Sequence, residues 1–360
     1  MRAIAVISVV FVHAGLMGRG FGPSLPGRLL AHLNLGVTIF FLISGFLLYR
    51  PMIVHRGGGP AAPRRRDYAR RRVLRIYPAY LVVLTVLLLW PTSTGGIVGA
   101  RWPMFALVHT LPVYSGQRCV SQVLTCGLAQ TWSLVVEATF YLALPLYSVL
   151  IGALTRRLTL RAWLGVELAI LSVLSLASVT LQFATPHPSR WVSGTFVAYG
   201  LWFAIGMGLA VVSVALEGGI RPPRAIRALG GRPGGLWALA WVAYLLLSLW
   251  LPASPFLFAR SQQLVTHLGF ALIATLMIAP AVFASDARGW PRRLLAQPVV
   301  AWLGLVSYGI FLWHYAVALE LGSPGAHGSF IVVLIGTLAI TIALAAASYY
   351  IVERPVLRLK

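Results

Sequence analysis

Charge of one sign is nearly missing from this chain: 7 of its 360 residues are Asp or Glu, and residues of either charge make up 10%. Soluble domains carry about 25% charged residues, so this composition cannot cover a water-facing surface of that size. So few carboxylates also exclude a carboxylate-lined cation path of the usual kind. The chain has no phosphate loop, no Gly-x-Ser-x-Gly elbow, no His-Glu-x-x-His and no Cys/His metal spacing, so no metal or redox cofactor is implied. No cleavable signal peptide and no internal repeat are evident. Cysteine is limited to Cys119 and Cys126.

What fills the space is apolar. Hydrophobic residues reach 59% with a mean hydropathy of +0.85. Stretches near the length of a bilayer span recur along the whole chain, which is the signature of a membrane protein. The spans read as 3–18, 33–49, 76–92, 129–153, 162–184, 196–216, 235–252, 263–284, 299–320 and 330–352. The segment 102–114 is apolar but too short to cross. The fold class expected is all-α: a polytopic membrane helical bundle of about ten transmembrane helices, with residues 1–360 forming a single membrane-embedded domain.

The formal charge of +22 invites a nucleic-acid reading, but the position of the charges argues against it. Arg2 and the regions 50–75, 154–161, 217–234, 286–298 and 353–360 hold 23 of the 29 Lys and Arg residues. The alternate loops hold only Arg19, Arg28, Arg101, Arg118, Arg190 and Arg260. Lys and Arg collect on the cytoplasmic side of membrane proteins, so both termini and the Arg-rich 50–75 loop are expected inside. Cys119 and Cys126 then share the outer loop 93–128, where an oxidising compartment favours a disulfide; two isolated thiols are the alternative.

Polar groups inside spans cost about 2.5–3.5 kcal/mol each on insertion scales, so they face cavities or partners. Arg2 and His13 bracket the opening span. Eleven residues are three turns plus about 20°, so the two side chains share a face about 16 Å apart along the axis. An imidazole there suits a general base, and a structural His bonded to a neighbouring helix is the competing reading. Arg72 and Arg75 share a face provided that their helix begins before them. Guanidinium forks suit phosphates, and a positive flank that anchors the helix is the alternative. Glu137 lies within a span and needs a partner; a purely interhelical bond competes with a site role. His314, nearer the outer end of its span, reads as a structural or substrate-contacting residue.

These groups stand in six stretches: RAIAVISVVFVHAG (2–15), LGVTIFFLISGFLLYR (35–50), RRRVLRIYPAY (70–80), QTWSLVVEATFYLALPL (130–146), WLGLVSYGIFLWHY (302–315) and VERPVLRL (352–359). In their order and spacing the chain resembles acyltransferase family three, the integral-membrane O-acyltransferases that modify sugars and other hydroxylated acceptors. The resemblance implies a ten-helix core and transfer of an acyl group, often acetyl, from acyl-CoA to a hydroxyl of a glycan or glycoconjugate. It implies His13 as catalytic base, Arg72 and Arg75 with Arg2 as donor-binding residues, and Glu137 as a site carboxylate. Trp132, Tyr308 and His314 are candidate acceptor contacts, and the cell (inner) membrane is the expected location. In one respect the chain departs from the family pattern: Met1 directly precedes Arg2, where members carry a short lead, so a start upstream is expected. No stretch resembles the soluble hydrolase-like domain that some members carry. Two other readings stand at this point. One is acyl transfer to a cytoplasmic small molecule such as a macrolide. The other is a transporter or flippase, which would call for inverted repeats and broken helices at the midplane.

Overall fold

A computed structural model describes residues 1–89, 102–109, 111, 128–184, 189–224, 231–254, 258–283, 289–323 and 329–358. Cys119 and Cys126 lie outside these residues. Among the described residues all regular structure is helical. The helices are α1 (Arg2–Met17), α2 (Leu25–Ala31), α3 (Leu35–Ile53), α4 (Arg65–Leu89), α5 (Trp102–Phe105), α6 (Trp132–Thr155), α7 (Leu160–Phe183) and, after a single unnumbered turn at Arg190–Ser193, α8 (Gly200–Glu217). They continue with α9 (Pro233–Trp250), α10 (Arg260–Phe283), α11 (Trp290–Ala296), α12 (Pro298–Leu305), α13 (Ser307–Leu321), α14 (Phe330–Ser348) and α15 (Arg354–Leu357).

The described part of each of the ten expected spans falls mainly on helix. Eight helical segments among the described residues are long and apolar enough to cross a membrane, and a ninth arises if α12 and α13 count as one. The opening helix α1 is apolar but has only 16 residues. Two expected spans differ in shape. The third begins at Arg65, about two turns before Arg72, so the Arg-rich loop is already helical there. The ninth is bent by 71° between α12 and α13. At the bend the Ser307 hydroxyl donates to the Gly304 carbonyl at 2.9 Å, the kind of back-bond that diverts a helix.

The core is built around α3, which packs against α1, α6, α8 and α10. Lipid supplies no hydrophobic drive between helices, so close approach of small residues has to hold them. A Cβ on Gly206 of α8 would overlap the Leu42 carbonyl, and one on Gly45 of α3 would overlap the Phe203 carbonyl. The two backbones therefore meet where neither can carry a side chain. Beside this crossing, Phe41, Phe203 and Phe140 stack in sequence at 4.7 and 4.1 Å between ring centroids.

A polar clamp ties α3, α6 and α7 together. Glu167 is fully buried and accepts from the Tyr49 hydroxyl, from the Tyr147 hydroxyl at 2.9 Å and from Trp163 Nε1 at 3.0 Å. A buried carboxylate is tolerable only when its lone pairs are met in this way. Arg56 closes the near end, donating to the Thr155 carbonyl at 3.1 Å and to its hydroxyl at 2.9 Å.

Candidate active site

Arg2, Arg72, Arg75, Glu137 and Tyr308 meet on the wall of one interior cavity of about 90 Å³, room for several waters. They arrive from four helices: α1, α4, α6 and α13. Ser44 of α3, Ser133 and Tyr141 of α6 and Ser307 of α13 add to its polar lining, and Val9, Phe40, Phe41 and Phe311 belong to its apolar part. Five of the eight residues that the sequence pattern singles out thus converge, although 306 positions separate Arg2 from Tyr308.

The local framing explains why these cations point inward. Because α4 starts at Arg65, Arg72 and Arg75 lie on one helical face. The Arg72 guanidinium sits 5.9 Å from the ring centres of both Tyr68 and Tyr141, and its buried Nε has no hydrogen-bond partner among the described residues. Arg75 lies 5.8 Å from the Tyr308 ring centre, and the Tyr308 hydroxyl donates back to the Ile76 carbonyl at 2.8 Å. Aromatic faces stabilise a guanidinium without neutralising it, so its N–H fork remains available to an anion.

Glu137 accepts from the Ser44 hydroxyl, so the FLISGF stretch and the Trp-Ser-Leu stretch meet through a hydrogen bond. Tyr141, one turn further along α6, lies against the same carboxylate. Gln130, just ahead of α6, donates to the Leu312 carbonyl at 2.8 Å and the Phe311 carbonyl at 3.3 Å, fastening α6 to the turn of α13 that carries His314.

His13, His314 and Trp132 do not line the cavity. Trp132 joins an aromatic group instead, 5.4 Å from Tyr199 and 6.4 Å from Phe41 between ring centroids. The cavity runs along α1 from Arg2 to Val9, and His13 stands one turn beyond, its Nδ1 2.9 Å from the Val9 carbonyl oxygen. His314 stands equally close behind Phe311, its Nδ1 2.8 Å from that residue's carbonyl oxygen. The two imidazoles touch, His314 Nε2 to His13 Nδ1 at 3.1 Å. A cationic chamber therefore leads up to a pair of histidines, with Val9 and Phe311 between.

Sequence reasoning passes over Ser44 and Tyr141, and also over a carboxylate paired with Arg75. Glu353 is 2% exposed and sits on a π-turn spanning Tyr349–Glu353, with an oxygen 3.5 Å from Arg75 Nη1. A π-turn inserts one residue into a helix and re-aims those around it, often at functional sites. The signal was present: Glu353 is one of 7 acidic residues and lies inside the closing VERP stretch. It falls in the Arg-rich flank 353–360, and no role is expected for it there. Among the described residues, no group of three or more His, Cys, Asp or Glu could hold a metal ion.

Fold and cavity define a multi-pass helical membrane protein with an arginine-lined polar chamber in its interior. Residues 1–350 match the acyltransferase-domain family, and the chain belongs to that family of enzymes. It is 26% identical over 380 residues to a Bacillus subtilis (strain 168) protein whose name reads "Putative peptidoglycan O-acetyltransferase", covering 99% of this chain and 54% of that one. It is 24% identical over 376 residues to a peptidoglycan O-acetyltransferase of Listeria monocytogenes, again covering 99% of this chain and 54% of the relative. The chain thus spans about half the length of these relatives. No solved structure matches it.

Proposed function

We propose that this chain transfers an acetyl group from acyl-CoA to a hydroxyl of a cell-envelope glycan, working in the cell (inner) membrane with both termini in the cytoplasm. The observation that carries the reading is the chamber: three guanidiniums at one end, and His13 one turn beyond the other. The names of the relatives support a glycan acceptor and acetyl as the group moved. Arg72, Arg75 and Arg2 are suited to donor phosphates, because forked guanidiniums pair with phosphate oxygens. The unpartnered Nε of Arg72 fits that role.

The chemistry follows from the order of groups. The acceptor hydroxyl attacks the thioester carbonyl carbon while His13 takes its proton as general base. The carbon–sulfur bond breaks, an oxygen ester forms, and the proton on His13 goes on to the departing thiolate. Glu137, held by Ser44, orients the acceptor or the cations around it. The 23 Lys and Arg residues on alternate loops support the orientation.

The test uses purified full-length chain in nanodiscs with radiolabelled acetyl-CoA and a muropeptide or lipid-linked glycan acceptor. Thiol release and label in the acceptor are expected. His13→Ala should abolish both while the protein still inserts. Arg72→Ala and Arg75→Ala should raise the donor KM about tenfold or more, the loss of one hydrogen bond to a charged group. Near-normal turnover by His13→Ala would remove His13 from the chemistry. Solute uptake without thiol release would replace the enzyme by a transporter.

A further inference from the structure

The histidine pair carries more information than its contact distance. His314 is fully buried, and both of its ring nitrogens are engaged. Its Nδ1 lies 2.8 Å from the Phe311 carbonyl oxygen and 3.1 Å from that of Ile310. Carbonyls only accept, so this nitrogen holds the proton, and Nε2 of the neutral ring is an acceptor. His13 Nδ1 faces the Val9 carbonyl oxygen at 2.9 Å, so it too holds a proton. That N–H is shared with His314 Nε2 at 3.1 Å. The hydrogen-bond network therefore assigns one tautomer to each ring, and His13 is left with a bare Nε2. Tyr315 packs edge-on against the His13 ring, with 5.0 Å between centroids, and fixes its plane.

We propose that His314 is a positioning residue for His13. It accepts the His13 Nδ1–H, so that Nε2 is the basic atom, and it holds the imidazolium that forms when His13 takes the acceptor proton. The inference rests on the reading of His13 as the base. It also revises the place of His314, which has no ring nitrogen left over to meet an acceptor. The physical reason is burial: a cation formed away from water needs a hydrogen-bond acceptor, and few acidic residues are at hand to provide one. A neutral imidazole whose far N–H is tied to backbone carbonyls is such an acceptor. It donates nothing back to His13, so His13 cannot slip into the other tautomer.

The removal of one hydrogen bond to a charged group slows a step by about 10- to 100-fold. His314→Leu keeps bulk without an acceptor, whereas His314→Gln places an amide oxygen near the former Nε2. In nanodiscs with acetyl-CoA, His314→Leu should lower kcat by about 10- to 100-fold with the donor KM unchanged. His314→Gln should stay within a few-fold of the parent. Unimpaired His314→Leu, or His314→Gln as slow as His314→Leu, would overturn the role. His13→Ala separates the two levels. If it is dead while His314→Leu is active, only the positioning role falls; if it turns over normally, the base and its support fall together. A readout independent of turnover is ¹⁵N NMR of the histidine-labelled parent, with His13 identified by its loss in His13→Ala. The expected spectrum has His13 protonated on Nδ1 and a nitrogen–nitrogen coupling across the hydrogen bond to His314. A His13 protonated on Nε2, or no coupling, would refute the assignment.

Discussion

Replacing Glu353 by Gln should loosen the protein by about 2–3 kcal/mol, and the effect should vanish in the absence of Arg75. The carboxylate is 2% exposed and the Arg75 side chain 21% exposed, so water screens the pair weakly. At their 3.5 Å separation an effective dielectric of 20 gives an attraction of about 5 kcal/mol. Desolvation of both groups offsets part of that, and removing one partner of a buried pair typically costs about 3–5 kcal/mol. The long separation and the partial exposure of Arg75 bring the figure down to about 2–3 kcal/mol. Neither oxygen of Glu353 has a hydrogen-bond donor among the described residues, so the cation is what compensates it. The assay is a double-mutant cycle read by thermal unfolding in detergent. Glu353→Gln and Arg75→Gln should each lower the apparent Tm by several degrees. The double variant should lie well above the sum of the two losses, because removing both charges also removes both desolvation costs. Additive losses, or a silent Glu353→Gln, would refute the reasoning, since a carboxyl held neutral has no charge to lose.

Four further outcomes follow from the same contacts. Ser44→Ala removes the donor that holds Glu137, and acetyl turnover should fall about tenfold, measured as kcat in nanodiscs. Glu167→Ala strands two tyrosine hydroxyls and an indole N–H in the interior; the yield of folded protein should drop sharply with a stability loss of about 3–5 kcal/mol, while the donor KM of the folded fraction stays unchanged. Gly206→Val forces a side chain into the Leu42 carbonyl and should lower the apparent Tm by more than a Gly→Val change at Gly152, where nothing lies near the added carbon. His109 lies outside the spans, and burial pushes its pKa down to about 4. The folded state therefore favours the neutral ring: this stability is complete above about pH 6.5 and is lost as pH falls towards 4, so His109→Gln should flatten the fall in Tm over that window.

The bundle was legible because its signal is local. Apolar runs near span length and the alternation of Arg-rich and Arg-poor loops require no knowledge of what touches what. Arg72 and Arg75 were legible as a pair for the same reason, since residues three apart on one helix share a face wherever that helix goes. Glu167 and Glu353 were missed although both are acidic residues in a chain that has 7. Trp163 is the partner of Glu167 on its own helix; Tyr49 and Tyr147, and Arg75 for Glu353, come from other helices that only packing brings near.

By itself the sequence determined the class of molecule, the place of its apolar helices and the residue types able to do acyl-transfer chemistry. Only the tertiary structure decided which of these residues share a chamber and which stand behind its wall. It brought His314 onto His13 across 301 positions, bent the ninth span by 71°, and turned Glu353 inward onto Arg75. The physical reason is the range of the forces: hydropathy and helical periodicity act over a few residues of chain. Desolvated charges and hydrogen bonds are instead settled by whichever group packing carries to within about 3 Å.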